Sequence, residues 1–486
     1  MTGPVPMVEH LGGPRVEVGD AVRARLAAIC TVDATDEARS DHGHDWWPIA
    51  MRWAARGEVP ALPAVVASPT TAAEVAAVLA VCSEARVPVT PAAGRSGVCG
   101  GSVPVFGGVS LDLCGLSGLG LVDDGSLLVS VQAGTNGAAF EAGLRTLHGL
   151  TIGHRPQSLA ISTVGGWLAC RSAGQYSTRY GKIEDMVVGL EVALADGRLI
   201  RTGGRAPRSA TGPDLGQLFV GSEGTLGVIT EATFRAAPIP PAERRAAFGF
   251  ASFEEGLDAC RRIVRRGATP AVLRLYDPLE STRTFAVDDR AVLVVLDEAE
   301  PCLADAVLHL VGEECAGAER LDDSLVDRWL EHRDDVSPLV ALVAAGIVGD
   351  TCEVAARWSA LPDLYRAAVA ALAGVPGTIV ASAHQSHAYR DGACIYLTFG
   401  GRRDGPEQDD AYYVEAWDAV TAAVLQAGGT ISHHHGVGIN RARFLPDELG
   451  GSFDTLVALK AALDPHGILN PGKLGLPSPW GEPAWP

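Results

Sequence analysis

Several features that would place this chain in other protein classes are missing from its sequence. Basic residues are outnumbered, 39 Lys and Arg against 58 Asp and Glu, and the net charge of −19 argues against a broad nucleic-acid contact. The ten cysteines are scattered singly, with no C-x-x-C pair and without the dense spacing of a disulfide scaffold. Such cysteines suit a reducing compartment, so we expect a cytoplasmic protein. From the net charge we expect no nucleic-acid partner.

Long apolar runs are missing too. The best run, Leu339 to Val348, is about half the ~20 residues that a transmembrane segment needs, and it predicts a buried helix instead. The N-terminus, Met1 to His10, has neither the basic nor the apolar region of a secretory signal. At 486 residues, the chain exceeds the roughly 250 to 300 residues that one core supports, so two domains are expected.

The first half of the chain is rich in glycine. An apolar strand at Ala64–Ala67, a helix opened by the capping box Thr71–Glu74 and a strand at Val87–Thr90 predict a strand-helix-strand unit. That unit ends in the glycine loop Ala93–Gly101. Backbone N–H groups of such a loop can approach an anion closely. A glycine loop alone, however, fits a simple turn as well as it fits a phosphate site.

Two further segments repeat this chemistry. Ile161–Ala173 predicts a helix entry capped by Ser162 or Thr163, and Phe219–Glu231 contains three more glycines. A β-hairpin with an Asp196-Gly197 turn lies between them. Glycine-rich turns thus recur at three places within about 140 residues. This recurrence favours a long dinucleotide, which needs several backbone contacts along its length.

The order of the predicted elements divides the chain into parts. The proline cluster at 238–241 marks a boundary, because proline ends regular structure. Beyond it, helices alternate with short apolar strands, which is typical of an α+β domain. The expected parts are an irregular N-terminal segment packing on the next domain (1–58), a glycine-rich α/β domain (59–240), an α+β domain (241–400), a C-terminal segment (401–474) and a loose tail (475–486).

Four motifs in this order resemble the flavoproteins of the vanillyl-alcohol oxidase and p-cresol methylhydroxylase family. They are the loop at 93–101, Ser-Thr-Val-Gly-Gly-Trp at 162–167, the glycine-rich stretch at 221–229 and Leu-Asp-Pro-His-Gly-Ile-Leu-Asn-Pro-Gly-Lys at 463–473. The resemblance implies an FAD-binding domain of two α/β subdomains, an α+β cap over the flavin and a C-terminus that returns to the FAD domain.

The cofactor implied by this resemblance is FAD. We expect it to be held non-covalently, because no attachment histidine is evident. The residues implied to contact it are Pro91, Ala92, Ala93, Gly94, Arg95, Ser96, Gly97, Gln157, Ser158, Leu159, Ser162, Thr163, Gly165, Gly166, Cys170, Arg171, Ser172, Glu223, Gly224, Thr225, Gly227, Val228 and Ile229.

Within the family, the segments Gly153–Ser158, Tyr389–Tyr396 and Ser432–Gly438 resemble the alkylglycerone-phosphate synthases. That branch implies exchange of an acyl for an alkoxy group on a small, lipid-like substrate, without net redox change. One departure is Leu339, which stands where those enzymes have a phosphate-binding arginine. The catalytic residues implied are Tyr396 as acid and base, His433, His434 and His435, His154 beside the flavin, and Arg274.

The residues alone leave other interpretations open. A tyrosine in an apolar strand such as Ala393–Phe399 is more often core than catalyst, and the resemblance reverses that preference. Three consecutive histidines cannot all point one way, so at most two should face the flavin. His384 and His387 could bind a metal with them, as in related D-2-hydroxyacid dehydrogenases, but we expect no metal.

Two alternatives concern function and assembly. An oxidase or dehydrogenase acting on an alcohol or a D-2-hydroxy acid is the alternative to the synthase-like transferase. A homodimer is compatible with the sequence, but no sequence feature determines the oligomeric state.

Overall fold

The structure is a computed structural model that describes residues 5–204, 206–335 and 337–485, and the side chains of residues 337–340 lie outside the description. Within the described part, no helix is long and apolar enough to cross a membrane.

The N-terminal segment contains more regular structure than its sequence suggested. The buried Trp47 and Trp53 donate their indole N–H groups to Tyr413 and Asp410 of a C-terminal helix, so this segment also packs beyond the domain that follows it. Its elements are β1 (Val8–Glu9), α1 (Asp20–Ala27), β2 (Thr31–Asp33), α2 (Asp36–Asp41), α3 (Pro48–Ala54) and β3 (Glu58–Val59).

Two main sheets follow. The predicted capping box is present at the start of the helix at 72–85, because Thr71 and Glu74 exchange hydrogen bonds. The elements are β4 (Val65–Ser68), α4 (Ala72–Ala85), β5 (Val89–Ala92), β6 (Val109–Asp112), β7 (Leu119–Asp123), β8 (Leu128–Gln132), α5 (Gly137–His148), β9 (Leu150–Thr151), α6 (Val164–Ala169), α7 (Ser177–Tyr180), α8 (Ile183–Met186), β10 (Val187–Ala193), β11 (Leu199–Gly203), β12 (Val228–Arg235) and β13 (Ala237–Pro238).

Loops that connect the strands of these two sheets line one large cavity. The first sheet has the strand order β2-β4-β6-β5, with β4, β6 and β5 parallel, as the strand-helix-strand prediction requires. The second is antiparallel, with the order β11-β10-β12-β8-β7, and it contains the predicted hairpin. The short strands β9 and β13 pair separately.

The next part is built on a seven-stranded antiparallel sheet with the order β17-β14-β16-β15-β19-β20-β18. Its inner strand at 291–299 is almost fully buried, because helices cover the sheet. The elements are β14 (Ala242–Phe250), α9 (Phe253–Arg265), β15 (Val272–Tyr276), α10 (Pro278–Phe285), β16 (Ala291–Ala299), α11 (Pro301–Glu314), β17 (Glu319–Leu321), α12 (Ser324–His332), α13 (Ser337–Ala344), β18 (Val348–Arg357), α14 (Leu361–Gly374), β19 (Thr378–Ala388) and β20 (Gly392–Gly401).

The apolar run at 339–348 is not the buried helix that its composition suggested. Helix α13 ends at Ala344, and Val348 begins strand β18. Ala341 is exposed and Leu342 is half-buried, because both residues border the cavity rather than the core. The resemblance places Leu339 where related enzymes have a phosphate-binding arginine. The side chain of Leu339 lies outside the described part of the structure.

The C-terminal part consists of α15 (Pro406–Gln426), α16 (Leu445–Leu449) and α17 (Ser452–Leu463). After α17 the chain returns to the first sheet, where Asn470 N–H donates to the Val89 carbonyl at 2.8 Å. The tail expected to be loose is instead packed. The Trp485 ring lies 5.0 Å from that of Trp47 and 5.4 Å from that of Trp53, because the N-terminal segment offers it an aromatic surface.

Candidate active site

A cavity of about 820 Å³ lies between the loops of the first two sheets, the seven-stranded sheet and the C-terminal loop. That volume is in the range that holds a large organic ligand. The cavity has two chemically different sides. We call them the glycine wall (lining residues within 91–102, 156–173 and 222–229) and the histidine wall (His387, Tyr396, His434 and His435).

Close backbone approach explains the glycines of the first wall. A Cβ atom at Gly94 would lie 2.3 Å from the carbonyl oxygen of Ile161, so the loop at 94 can meet the entry of α6 only as glycine. Two non-glycine residues of this wall, Arg95 and Glu223, have left-handed φ values of 48° and 50°. Such strained residues cluster at ligand sites, where the surrounding structure holds them in place.

The structure brings most of the predicted cofactor residues to this wall, although they come from three distant segments. Those that line the cavity are Pro91, Ala92, Ala93, Gly94, Arg95, Ser96, Gly97, Gln157, Ser158, Thr163, Gly165, Gly166, Cys170, Ser172, Glu223, Gly224, Gly227, Val228 and Ile229.

Four predicted cofactor residues do not line the cavity, because their side chains have other partners inside the protein. The partners are the hydrophobic core for Leu159, the Trp167 indole for Ser162, the Glu184 carboxylate for Arg171 and the Ser222 carbonyl for Thr225.

Unpaired polar atoms show that the cavity suits a polar ligand. Among the described residues, the buried atoms Asp45 Oδ2, Ser102 Oγ and Thr163 Oγ1 have no hydrogen-bond partner, and all three residues line the cavity. Leaving such atoms unpaired is costly. Thr163 is the N-cap residue of α6, yet its hydroxyl makes no capping bond and stays available. The hydroxyls, phosphates and ring heteroatoms of FAD would pair with such groups, so the residues present fit this cofactor.

The Glu223 carboxylate joins the glycine wall to the C-terminal loop. It accepts the backbone N–H groups of Val437 at 2.5 Å and Gly438 at 2.8 Å. The carboxylate is therefore bound within the protein. The contact with the cofactor that the resemblance implied is left to the backbone and the CH₂ groups of Glu223, which lines the cavity. Asn470 strengthens this junction by donating its side-chain amide to the Glu223 carbonyl at 2.6 Å.

The centre of the histidine wall is Tyr396 on β20. Its hydroxyl lies 2.7 Å from Nε2 of His434. Burial raises the pKa of Tyr396 well above its usual value and lowers that of His434 well below its usual value. A protonated phenol thus faces a neutral imidazole, and this pair can both give and take a proton.

The three consecutive histidines form a loop rather than a strand, because Glu353 gathers their backbone. One oxygen of this buried carboxylate accepts the N–H groups of His433, His434 and His435 at 3.2, 3.1 and 2.8 Å. The other oxygen accepts from Arg441 Nη2 at 2.5 Å. Burial would raise the pKa of Glu353, but the Arg441 guanidinium and the neighbouring His435 and His434 together outweigh it and hold the pKa well below its usual range.

The loop turns the three imidazoles in different directions. His434 and His435 line the cavity, and His433 lies behind them against Tyr389. Two of the three imidazoles thus face the cavity, which is the largest number that the sequence analysis predicted. Arg274 also lies behind the wall, with Nη2 2.6 Å from His384 Nε2 and its guanidinium 5.6 Å from the centre of the Tyr396 ring.

His154 is placed on the other side of the cavity. It is fully buried, and its Nε2 lies 2.8 Å from the hydroxyl of Ser172, which lines the glycine wall. Burial lowers the pKa of His154 to about 3, so this imidazole is neutral at physiological pH. Its contact with the cavity therefore runs through Ser172.

One histidine cluster has the geometry of a metal site. Nitrogen atoms of His387, His433 and His434 lie within 4.8 Å of one another. Three imidazoles at this spacing could hold a transition metal. The expectation that the protein binds none therefore stays a prediction.

Sequence reasoning missed several residues of the site. Glu353 and Arg441 carry the histidine loop, but an isolated acid and an isolated arginine give no signal in one sequence. Asp45 lies in the irregular start of the chain, for which the sequence indicates only packing. Arg283 also lines the cavity, on a helix whose sequence contains no recognisable motif.

Two family profiles match this chain. One, described as an FAD binding domain, matches residues 63–203, and the other, described as the C-terminal domain of FAD linked oxidases, matches residues 239–474. The FAD-linked oxidoreductase YgcU of Escherichia coli O157:H7 is 31% identical over 433 residues, covering 85% of this chain and 89% of that protein. This chain belongs to the FAD-linked oxidoreductase family. It is an FAD-dependent enzyme, which confirms the cofactor that the resemblance implied.

Other members of this family differ in activity. Glycolate oxidase subunit GlcD of Bacillus subtilis is 31% identical over 432 residues, covering 85% of this chain and 89% of that protein. Alkyldihydroxyacetonephosphate synthase of Dictyostelium discoideum is 29% identical over 464 residues, covering 86% of this chain and 74% of that protein. An FAD-linked oxidoreductase of either type is therefore compatible with the sequence.

Solved structures confirm the α+β fold class. A structure of alkyldihydroxyacetonephosphate synthase has a TM-score of 0.76 at 24% identity, covering 96% of this chain and 88% of that one. A structure of p-cresol methylhydroxylase with substrate bound has a TM-score of 0.78 at 17% identity, covering 96% and 98%. At these identities the likeness shows the fold alone.

Proposed function

We propose that this FAD-linked oxidoreductase is a transferase of the alkyldihydroxyacetonephosphate synthase type, which replaces an acyl by an alkoxy group on an anionic small molecule. The observation that carries the proposal is the Tyr396 hydroxyl, held 2.7 Å from His434 Nε2 in the cavity. Such an exchange needs a group that takes a proton from the incoming alcohol and returns one to the leaving group. FAD, when bound, supplies the electrophilic and nucleophilic centre of this chemistry.

The residues of this chain divide the remaining work. The glycine wall binds and orients the cofactor through its backbone. Tyr396 holds or moves the proton, and His434 is its partner at Nε2. Arg274 lies over the Tyr396 ring and orients it without lining the cavity. A buried proton-transfer pair of this kind contributes typically 10²- to 10⁴-fold to a rate.

Arg283 is the side chain that we propose for binding the anionic part of the substrate. It lines the cavity, and its ion pair with Glu280 is long, at 3.4 Å. Glu280 in turn accepts from His384, whose ring stacks at 4.5 Å on Tyr396, so Arg283 lies on the Tyr396 side of the cavity. An Arg283→Gln variant is expected to raise KM for an anionic substrate roughly ten- to a hundredfold, because it removes a charge-assisted hydrogen bond.

The alternative is oxidation of a D-2-hydroxy acid or another alcohol. It is supported by the 31% identity to GlcD, whose name denotes a glycolate oxidase subunit. Arg283 would bind the carboxylate of such a substrate equally well, and Tyr396 with His434 would take the hydroxyl proton. The two functions differ in one respect, since only oxidation leaves the flavin reduced.

The redox state of the flavin after reaction therefore distinguishes the two functions. Purified protein is mixed without oxygen with a panel of 2-hydroxy acids and alcohols, and the flavin absorbance is followed. In parallel, an acyl dihydroxyacetone phosphate and a radiolabelled long-chain alcohol are supplied, and labelled ether is sought. We expect labelled ether and no bleaching. Rapid bleaching by a hydroxy acid, with no ether formed, would replace the proposal by the alternative.

Three further properties belong to the same proposal. FAD is expected to be released into the supernatant on acid precipitation, because we expect it to be non-covalent. The cytoplasm is the expected location, on the grounds of the scattered cysteines. A homodimer stays a prediction that size-exclusion chromatography with light scattering can test.

A further inference from the structure

Six side chains at the histidine wall are joined in a closed ring of hydrogen bonds. The ring passes through His434, His433, Tyr389, Ser177 and His387 and returns to Tyr396. Its six distances are Tyr396 Oη–His434 Nε2 2.7 Å, His434 Nδ1–His433 Nδ1 2.9 Å, His433 Nε2–Tyr389 Oη 3.2 Å, Tyr389 Oη–Ser177 Oγ 3.2 Å, Ser177 Oγ–His387 Nδ1 2.7 Å and His387 Nε2–Tyr396 Oη 3.4 Å.

The proton count of this ring closes. Each neutral imidazole, phenol or hydroxyl has one N–H or O–H and can accept one hydrogen bond from a neighbour. Six groups therefore supply six protons for six bonds, and every group donates once and accepts once. All six contacts are at hydrogen-bond distance, and a seventh proton would place two donors face to face at one of them, so the geometry fits three neutral imidazoles.

A neutral closed ring has two complete proton orders, one the reverse of the other. In the first, the Tyr396 hydroxyl donates to His434 and accepts from His387. In the second, it donates to His387 and accepts from His434. A concerted shift of one proton along each bond converts one order into the other, and no group gains a charge. The same shift changes the tautomer of all three histidines.

The backbone is distorted at the point where the ring closes. His387 has a left-handed φ of 55°, and the pairing of β19 with β20 shifts register between Ser386 and Ala388. A bulge of this kind re-aims a side chain, here toward Ser177 on α7. Helix α7 is fixed against the bulge, because the Ala388 N–H donates to the Thr178 hydroxyl at 3.0 Å.

We propose that this ring is a proton relay that lets Tyr396 act as both donor and acceptor, with Ser177, Tyr389 and His387 as positioning residues. The inference rests on the proposed role of Tyr396. When the Tyr396 oxygen takes a proton from a substrate hydroxyl, its own proton passes to His434, and the ring then holds seven protons and one imidazolium. Transfer of one proton to the leaving group restores six, so the ring returns to its starting state.

The test measures where the protons are, without any substrate. FAD-loaded protein is labelled with ¹⁵N-histidine, treated with a chelator and assayed for residual metal, and the imidazole ¹⁵N shifts are recorded at neutral pH. If the two orders interconvert, both nitrogens of His434 will have shifts between the protonated and unprotonated values. The wild-type spectrum is therefore a test by itself.

Tyr389→Phe opens the ring and keeps its shape. The open chain then ends in an unpaired donor, either the Ser177 hydroxyl or the Nε2–H of His433. A hydroxyl can rotate to another acceptor, whereas an imidazole N–H cannot, so the second order should prevail. The proton of His434 should then reside on Nε2, although Tyr389 does not touch His434. Tyr412→Phe is the matched control, because the Tyr412 hydroxyl is also buried and bonds Thr378 outside the ring.

The outcomes are distinct. Averaged shifts in the wild type and in Tyr412→Phe, with a fixed Nε2 proton on His434 in Tyr389→Phe, support the relay. A single fixed tautomer of His434 in the wild type overturns it, and so does a metal ion that chelation leaves on these imidazoles. Should the ring prove averaged while no labelled ether is formed, the proposed function fails and the relay stands. Ether formation with a fixed tautomer would overturn the relay and leave the proposed function in place.

Discussion

The glycine wall and the histidine wall face the same cavity but are built on opposite principles. The glycine wall consists of backbone from short local motifs. It leaves Ser102 and Thr163 with unpaired atoms for a ligand, and so does Asp45 beside it. In and directly behind the histidine wall, side chains from α7, β19, β20 and the C-terminal loop largely saturate one another. The first wall offers unpaired polar atoms to a ligand, and in the second a few polar side chains hold one another in one arrangement.

The largest effect that would test this difference between the two walls is expected when one hydroxyl is removed from the histidine wall. Tyr396→Phe keeps the ring and deletes the proton donor, so turnover should fall roughly 10²- to 10⁴-fold. FAD content should not change, because the glycine wall is untouched. Steady-state kinetics on the identified substrate and flavin absorbance per chain measure the two effects.

Tyr412→Phe is the control for this prediction too, since it removes a buried phenol hydroxyl that does not line the cavity. Its turnover should stay near wild type. Unchanged turnover in Tyr396→Phe would exclude the tyrosine from proton transfer and leave the histidines as the remaining candidates.

The second prediction concerns the support of the histidine wall. Glu353→Gln should lower the free energy of unfolding by about 3 to 5 kcal/mol, because it leaves the buried Arg441 without its counter-charge. Glu353 also holds three backbone N–H groups of the histidine loop. Urea unfolding followed by circular dichroism would measure the change.

An exposed pair provides the matched control for Glu353. Glu415 is half exposed and accepts from Arg403 at the surface. Glu415→Gln should cost less than about 1 kcal/mol, as is usual for surface ion pairs. Similar costs for the two variants would show that Glu353 does not organise the loop.

The two walls also differ in how far the sequence predicted them. The motifs at 93–101, 162–167 and 221–229 carry local information, because a glycine is required wherever one backbone approaches another. The predicted cofactor residues therefore gather in one place. Tyr396 and the histidines were found only through a family resemblance, and their roles stay predictions. Their supports, Glu353 and Ser177, are isolated residues whose function depends on tertiary contacts.

The same distinction applies to the fold. The strand-helix-strand unit and the hairpin with the Asp196-Gly197 turn follow from local periodicity, capping and turn residues, and the structure contains them. The packed tail could not be predicted, since Trp485 becomes ordered only against Trp47 and Trp53, more than 400 residues away in the chain. The prediction of a buried helix at 339–348 was wrong for a related reason, because apolar residues can line a cavity as well as a core.

The third prediction sharpens the comparison on the glycine wall. A Cβ atom at Gly97 would meet nothing nearer than Asp45 Oδ2 at 3.7 Å, so Gly97→Val should fold and project into the cavity. We expect FAD affinity to fall at least about tenfold, which corresponds to about 1.4 kcal/mol. Equilibrium dialysis of the reconstituted protein measures it, with the melting temperature as the control for folding.

Gly224 is a poorer choice for this test, although it belongs to the motif at 221–229. Its φ of +73° strains any side chain, and a Cβ atom there would lie 3.0 Å from Pro91 Cγ. Loss of FAD in a Gly224 variant could therefore result either from backbone strain or from a blocked cofactor contact, and the experiment would not separate the two causes. Full FAD occupancy in Gly97→Val would show that this part of the wall does not contact the cofactor.

The smallest effect is expected from His154, a buried imidazole behind the glycine wall. Burial lowers its pKa from an ordinary value of 6.5 to about 3. Between these two values the unfolded chain binds a proton that the folded protein does not, so the free energy of unfolding falls as pH falls through this window. The slope from this group is at most about 1.4 kcal/mol per pH unit. His154→Phe removes the titrating group, and urea unfolding at several pH values from 7 to 4.5 should therefore show a shallower dependence in the variant. A constant offset between the two proteins would instead mean that His154 contributes packing only and that its protonation does not oppose folding.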